Sequence, residues 1–156
     1  GHKVYSTIHT KDPKEVYFRL EEMGIPNYLI RDSLVGIVSQ RLIRLLCNNC
    51  KESVGKIKFK NQIIETYKNK GCPHCNNTGY KGRGLVLAIH HINREMKRKL
   101  IDSAERDNIL TNDEMIDNLD KFIKEGQITV KDYIDFLEME EIAVIDEEKF
   151  YEESKL

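Results

Sequence analysis

The sequence lacks any long hydrophobic run. No stretch approaches the roughly 18 consecutive apolar residues of a membrane-spanning helix, so we expect no segment that crosses a bilayer. No signal peptide is recognisable, because the chain opens directly into strand-like apolar residues. An initiator methionine is also missing, and we therefore expect the sequence to be a piece of a longer protein.

The sequence also lacks an overall charge of either sign. Its formal net charge is −1 over 156 residues, which indicates nothing about a partner. The distribution is uneven, because residues 41–84 carry ten basic and two acidic side chains, whereas residues 85–156 carry ten basic and nineteen acidic ones. Such polarisation favours electrostatic contact between parts of the chain, between subunits, or with a polyanion.

The first forty residues predict a strand and two helices. Residues 3–8 read as a short buried strand. Asp12 and Pro13 predict a helix start and Gly24 its end, because these residues suit a cap, a first turn and a stop. Its buried face would comprise Val16, Leu20 and Met23. Pro26 opens a second predicted helix, whose apolar stripe would comprise Ile30, Leu34, Ile37 and Val38.

The rest of the chain predicts two strands and four helices. Strands are predicted at residues 41–46 and 85–89, and a short helix at residues 62–67. A turn-rich stretch is predicted at Gly79, Gly82 and Gly84. A helix capped by Asn93 would bury Met96, Leu100 and Ile101. Two further helices have capping signatures, namely Thr111 with Glu114, ending at Gly126, and Thr129 with Asp132.

Two close pairs of cysteines carry the clearest chemical signal. Cys47 and Cys50 are separated by two residues, as are Cys72 and Cys75, and a loop of twenty-one residues joins the pairs. Each two-residue gap allows one tight turn to direct two sulfurs at a single point. Disulfides are the alternative in an exported protein, but without an export signal thiolate ligands are the better interpretation.

A closed shell of four thiolates predicts a structural zinc ion. Such a shell leaves no position for a reacting water molecule, so the role is not catalytic. The loop between the pairs has too few apolar residues to fold by itself, and we expect the metal to hold it together. His74 lies inside the second pair and is interpreted as an exposed turn residue, not a ligand.

Several motifs in order resemble the type II secretion and type IV pilus assembly ATPases. Residues 1–10, which include His2 and His9, resemble the histidine box of that family. The resemblance covers about residues 1–137. Its further motifs are Arg19-Leu20, Met23-Gly24, Gln40-Arg41-Leu42, Gly71-Cys72-Pro73-His74-Cys75, Thr78-Gly79-Tyr80-Lys81-Gly82-Arg83, and the two-helix ending with Gly126 and Thr129.

The resemblance implies an α/β fold that is the C-terminal portion of a RecA-like ATPase domain. It implies a division into a piece of the RecA-like core at 1–46 and a tetracysteine zinc-binding subdomain at 47–84. A strand with a C-terminal helical subdomain would follow at 85–139, and an acidic tail at 140–156. Cysteine insertions of this kind belong to the assembly motors of the family and not to its retraction motors.

The resemblance also implies partners and further site residues. The parent would be a homohexameric ATP hydrolase that powers pilus assembly or protein secretion, with ATP and Mg²⁺ as cofactors. It would be cytoplasmic, peripheral to the inner membrane through a platform protein. His9, His2 and Arg41 would lie near the nucleotide in the ring. The alternatives are strand-edge histidines bonded to backbone and a solvated arginine.

This sequence departs from the family by containing no nucleotide site. The P-loop, the acidic box and the Walker B segment lie upstream of the histidine box in the family. The nearest fragment here, Gly55-Lys56, lacks the earlier glycine and the following Ser or Thr. Without a cradle for phosphate and a hydroxyl for magnesium, we expect this chain to be inactive alone.

Two other functions fit the cysteines less well. A zinc-ribbon nucleic-acid-binding module would use Lys56, Lys58 and Lys60 beside the metal, but few aromatic residues are available there for stacking. We therefore do not expect nucleic acid as a partner. A chaperone-type zinc module would normally repeat its cysteine unit several times, and only one copy is present.

Overall fold

The computed structural model describes residues 2–99, 110–144 and 150. It mixes helices and strands, as the predicted α/β class requires. The helices are α1 (Glu15–Glu22), α2 (Asn27–Ser33), α3 (Arg94–Lys99), α4 (Asp113–Lys124) and α5 (Val130–Met139). The strands are β1 (Gly36–Leu46), β2 (Glu52–Phe59), β3 (Gln62–Lys68) and β4 (Tyr80–His91), and a 3-10 turn spans Pro73–Cys75.

The chain divides into two compact units. The helical unit comprises the described residues of Gly1–Ser39 and Ala88–Thr111, and the cysteine unit those of Gln40–Leu87 and Asn112–Leu156. Strand β1 pairs with β4, and each contributes residues to both units. Within the residues that the structure describes, no helix has the length and apolarity needed to cross a membrane.

The helical unit packs its short helices around a small apolar core. The predicted ends of the first helix are confirmed to within a turn, because the Lys14 N–H donates to Asp12 Oδ1 at 2.8 Å and Gly24 has a φ of +80°. Asn93 caps α3, accepting from the Met96 N–H at 2.9 Å. The core residues are Val16, Tyr17, Ile30, Ile37, Ile92 and Leu110.

Three predictions for the helical unit are wrong. Residues 3–8 form no strand, because no described strand lies alongside to pair with their backbone. The side chains of Val4 and Tyr5 are 81% and 93% exposed. Met23 is exposed because it lies just past the end of α1. The second helix ends at Ser33, so the predicted stripe continues into β1, where Ile37 is buried and Val38 exposed.

Two predictions for the C-terminal half fall wholly or partly outside the described residues. Leu100 and Ile101, for which burial is predicted, lie outside the described residues. Most of the acidic tail at 140–156 lies there as well.

The loop between the cysteine pairs is a β-hairpin, so the helix predicted at residues 62–67 is wrong. Strands β2 and β3 are antiparallel, with Ile57 opposite Ile64, and a two-residue turn at Lys60 joins them. Burial alternates along β3: the side chains of Ile64 and Thr66 are buried, whereas that of Ile63 is exposed. That period of two residues is the period of a strand.

The strands predicted at 41–46 and 85–89 are confirmed, and both are longer than predicted. Gly82 and Gly84 lie within β4, so the expected turn-rich stretch reaches only as far as Gly79. Close packing explains the glycine at position 84, because a Cβ there would lie 2.4 Å from the Phe122 ring. Its absent side chain therefore makes room for α4 against the strand.

The last two helices form as predicted, and each buries an apolar face. Thr129 and Asp132 cap α5 reciprocally, since the Asp132 N–H donates to Thr129 Oγ1 at 2.9 Å and the Thr129 N–H to Asp132 Oδ2 at 3.1 Å. Thr111 is not the cap of α4, whose cap position is Asn112. The buried faces contain Met115, Leu119 and Ile123 on α4, and Tyr133, Phe136 and Leu137 on α5.

Candidate metal centre

The first cysteine pair forms a tight turn directly after β1. The N–H groups of Cys50 and Lys51 both donate to the Cys47 carbonyl, at 3.1 Å and 2.9 Å. The Cys47 N–H donates in turn to the carbonyl of Gly79, four residues after Cys75, at 2.9 Å, so the start of this turn is bonded to the segment that follows the second pair. The backbone thus fixes where the Cys47 sulfur lies.

The second pair is shaped by the 3-10 turn and by donors to one sulfur. Both the Cys72 N–H and the Gly79 N–H donate to Cys75 Sγ at 3.2 Å. The turn also needs residues in the left-handed region, and Gly71 has a φ of +107°. A Cβ on Gly71 would lie 2.7 Å from the Asn77 carbonyl oxygen, which only glycine avoids at this position.

The four sulfurs converge on one point. All four Sγ atoms lie within 4.8 Å of one another. Cys47 and Cys72 are 3.9 Å apart at sulfur, Cys50 and Cys75 3.8 Å, and Cys72 and Cys75 3.7 Å. In a tetrahedron with metal–sulfur bonds of about 2.3 Å, the sulfurs lie about 3.8 Å apart. The arrangement therefore has the dimensions of a tetrahedral four-thiolate metal site.

The proton affinities of the thiols differ within this cluster. Burial and the neighbouring thiols raise the pKa of Cys50 to about 12. Burial opposes ionisation of Cys75 too, but the N–H groups of Cys72 and Gly79 outweigh it and lower the pKa of Cys75 to about 6. Close sulfurs do not ionise independently, so a bound dication is what would deprotonate the whole set.

Nearby lysines bond to backbone instead of to sulfur. Lys51 Nζ donates to the Gly126 carbonyl at 2.8 Å and lies 4.5 Å from the centre of the Tyr67 ring. Lys81 Nζ donates to the His74 carbonyl at 3.1 Å. The His74 side chain is exposed, as predicted, and the group of side chains that could hold a metal among the described residues consists of the four cysteines.

The structure gives the other predicted site residues separate surroundings. His2 and His9 are exposed and lie in an irregular segment of the helical unit. Arg41 lies in the cysteine unit, where its Nε is 2.6 Å from Glu140 Oε1 in an ion pair. Within the cysteine unit, the four predicted metal ligands are brought together.

Contacts that the sequence did not reveal join the candidate metal centre and its hairpin to the region of α4 and α5. The Leu46 N–H, just before Cys47, donates to the Gln127 carbonyl at 2.7 Å. At the tip of the hairpin, Lys60 pairs with Asp120, which is buried and also accepts from the Tyr133 hydroxyl at 2.9 Å. The only hint of these contacts in the sequence is Asp120 itself, a carboxylate among the apolar residues of α4.

These features define a mixed α/β protein with a four-cysteine group able to hold a metal ion. The family model described as "Type II/IV secretion system protein" matches residues 1–142, and the chain belongs to that family. The predicted resemblance to type II secretion and type IV pilus assembly ATPases is therefore confirmed.

Individual relatives agree with the family. The chain is 34% identical over 111 residues to the type IV pilus assembly ATPase PilB of Thermus thermophilus, covering 65% of this chain and 12% of that protein. It is 41% identical over 100 residues to the type II secretion system ATPase E of Vibrio cholerae, covering 59% of this chain and 19% of that protein. The chain thus spans less than a quarter of the length of either relative.

Proposed function

We propose that this chain is the C-terminal segment of a motor ATPase that powers type IV pilus assembly or type II secretion. Family membership and the names of the relatives support this role. The parent would contain a RecA-like ATPase domain, of which residues 1–46 form a piece, and would work as a homohexameric ring. It would act in the cytoplasm at the inner membrane, against a platform protein.

Within that motor, residues 47–84 would hold a structural zinc ion through Cys47, Cys50, Cys72 and Cys75. The convergence of four sulfurs is the observation that carries this proposal. Four soft thiolates in tetrahedral array suit zinc, and a closed shell supports structure and not catalysis. The ion would fasten the hairpin to the end of β1, and residues 85–139 would complete the strand and helical subdomain.

Metal analysis tests the zinc proposal directly. We expect protein purified without chelator to contain one zinc ion per chain. The variant Cys72→Ser should lose it, whereas His74→Ala, altered within the same turn, should retain it. Protein without stoichiometric metal, or with equal zinc in both variants, would count against a four-thiolate site.

Nucleotide hydrolysis is assigned to the longer parent. ATP and Mg²⁺ would bind a P-loop outside this sequence, with His9, His2 and Arg41 near the nucleotide. We expect the 156-residue chain to show no ATP hydrolysis, and a longer form that includes the P-loop to show it. Turnover by the short chain would overturn this assignment. In the longer form, His9→Ala should lower kcat more than His74→Ala.

A nucleic-acid-binding module receives little support from the hairpin. Lys56 and Lys58 are exposed on β2, but Lys60 is paired with the buried Asp120. The aromatic ring beside these lysines, Phe59, is buried against Tyr133. Stacking on bases needs open ring faces. A gel-shift series at rising salt discriminates, because a nucleic-acid binder would bind at low salt and release steeply.

A further inference from the structure

The helical unit contains a basic cavity that is wide open at the surface. Its volume is about 470 Å³, which falls within the usual range of small-molecule sites. All five lining residues are charged, and four of them are positive. They are Arg31, Asp32, Arg94, Lys97 and Arg98.

The one carboxylate in this cavity is already paired. Asp32 Oδ1 accepts a hydrogen bond from Arg31 Nε at 2.8 Å. That hydrogen bond, with the charge of Arg31, lowers the pKa of Asp32, so the carboxylate stays ionised and cancels the charge of Arg31. The cavity lining contains no further carboxylate to balance the three positive charges of Arg94, Lys97 and Arg98 on α3.

These three cations share one face of α3. Arg94, Lys97 and Arg98 have the spacing of neighbours on a helix surface. The face is held in place, because Met96 packs against the core of the helical unit and Lys97 Nζ donates to the Asp32 carbonyl at 2.9 Å. Among the residues that the structure describes, neither Arg94 nor Arg98 has a carboxylate within ion-pair distance.

We propose that this cavity binds a small soluble anion carrying two linked phosphate groups, of which inorganic pyrophosphate is the minimal form. Guanidinium groups bind phosphate oxygens in pairs, and the lysine adds a point charge. Each phosphate group contributes about one and a half to two negative charges near neutral pH, so two groups match three cations. Binding also removes the mutual repulsion of those cations.

Calorimetric titration of the full chain with sodium pyrophosphate at low salt tests the proposal. We expect saturable binding to one site. The double variant R94Q/R98Q should weaken it by about tenfold or more, because each charge-assisted hydrogen bond lost contributes over 1 kcal/mol. The matched control is K56Q/K58Q, which removes the same charge from exposed lysines of the hairpin and should leave the affinity unchanged.

Three results would overturn the proposal. The first is equal weakening in both double variants, which would indicate general attraction to a basic chain. The second is the absence of measurable heat with pyrophosphate at millimolar concentration. The third comes from a parallel sedimentation assay with phosphatidylglycerol vesicles. If the vesicles bind through Arg94 and Arg98 while pyrophosphate does not, the cavity meets a lipid headgroup at a membrane surface.

Discussion

The two units of this chain are stabilised in different ways. The helical unit relies mainly on a small apolar core of six buried residues. In the cysteine unit, polar groups far apart in sequence meet: Lys51 with Gly126, Lys60 with Asp120, and the sulfurs of Cys47 and Cys72. The cysteine unit also contains most of the described buried apolar residues, such as Ile57, Leu119 and Phe136, so its cysteine group and polar contacts add to an apolar core. Single polar substitutions should therefore cost more in the cysteine unit.

Loss of the proposed zinc ion is the largest expected effect. We expect Cys72→Ser, or removal of zinc by chelation, to increase hydrogen exchange throughout residues 47–79. The effect should extend to residues 125–128, because Lys51 and Leu46 bond to the backbone there, while α4 and α5 remain helical. Exchange in α1 and α2 should stay unchanged. Uniform loosening of both units would contradict the difference between them.

The buried aromatic contact at the hairpin gives the next largest effect. Phe59 is buried and meets the Tyr133 ring edge-on, with centroids 5.4 Å apart. We expect Phe59→Ala to lower the free energy of unfolding by about 3 kcal/mol, measured by urea denaturation with zinc bound. The control is Ile63→Ala on the same hairpin, where the side chain is 61% exposed and the cost should stay below about 0.5 kcal/mol.

The buried carboxylate on α4 should matter more than an exposed one. Asp120→Asn keeps a hydrogen-bond partner for Tyr133 but removes the charge that pairs with Lys60. We expect a loss of about 1–2 kcal/mol, since Lys60 is half-exposed and solvent screens part of the attraction. Asp135→Asn breaks an exposed pair with Lys131 and should cost less than about 0.5 kcal/mol. Equal costs would show that burial of Asp120 adds nothing.

The cysteine spacing alone predicted the convergence of the sulfurs, because a two-residue gap restricts where each pair can point. Capping patterns likewise predicted α5 from Thr129 and Asp132. The hairpin was missed because its apolar residues are few enough to fit a helical period as well as a strand period. The contacts of Lys51 and Lys60 were missed because they join residues more than fifty positions apart, which no local pattern encodes.

The pH dependence of zinc binding is the finest test of the proposed metal site. In the metal-free site the raised pKa of Cys50, about 12, keeps its proton in place between pH 6 and pH 8. Zinc must displace that proton, so the apparent affinity should fall at least about tenfold for each unit by which the pH falls. The lowered pKa of Cys75, about 6, means that this thiol adds little to the slope above pH 7. Competition with a chromophoric chelator measures the slope. An affinity that stays constant across this range would show that zinc does not bind through Cys50, and the fourth ligand would then have to be sought elsewhere.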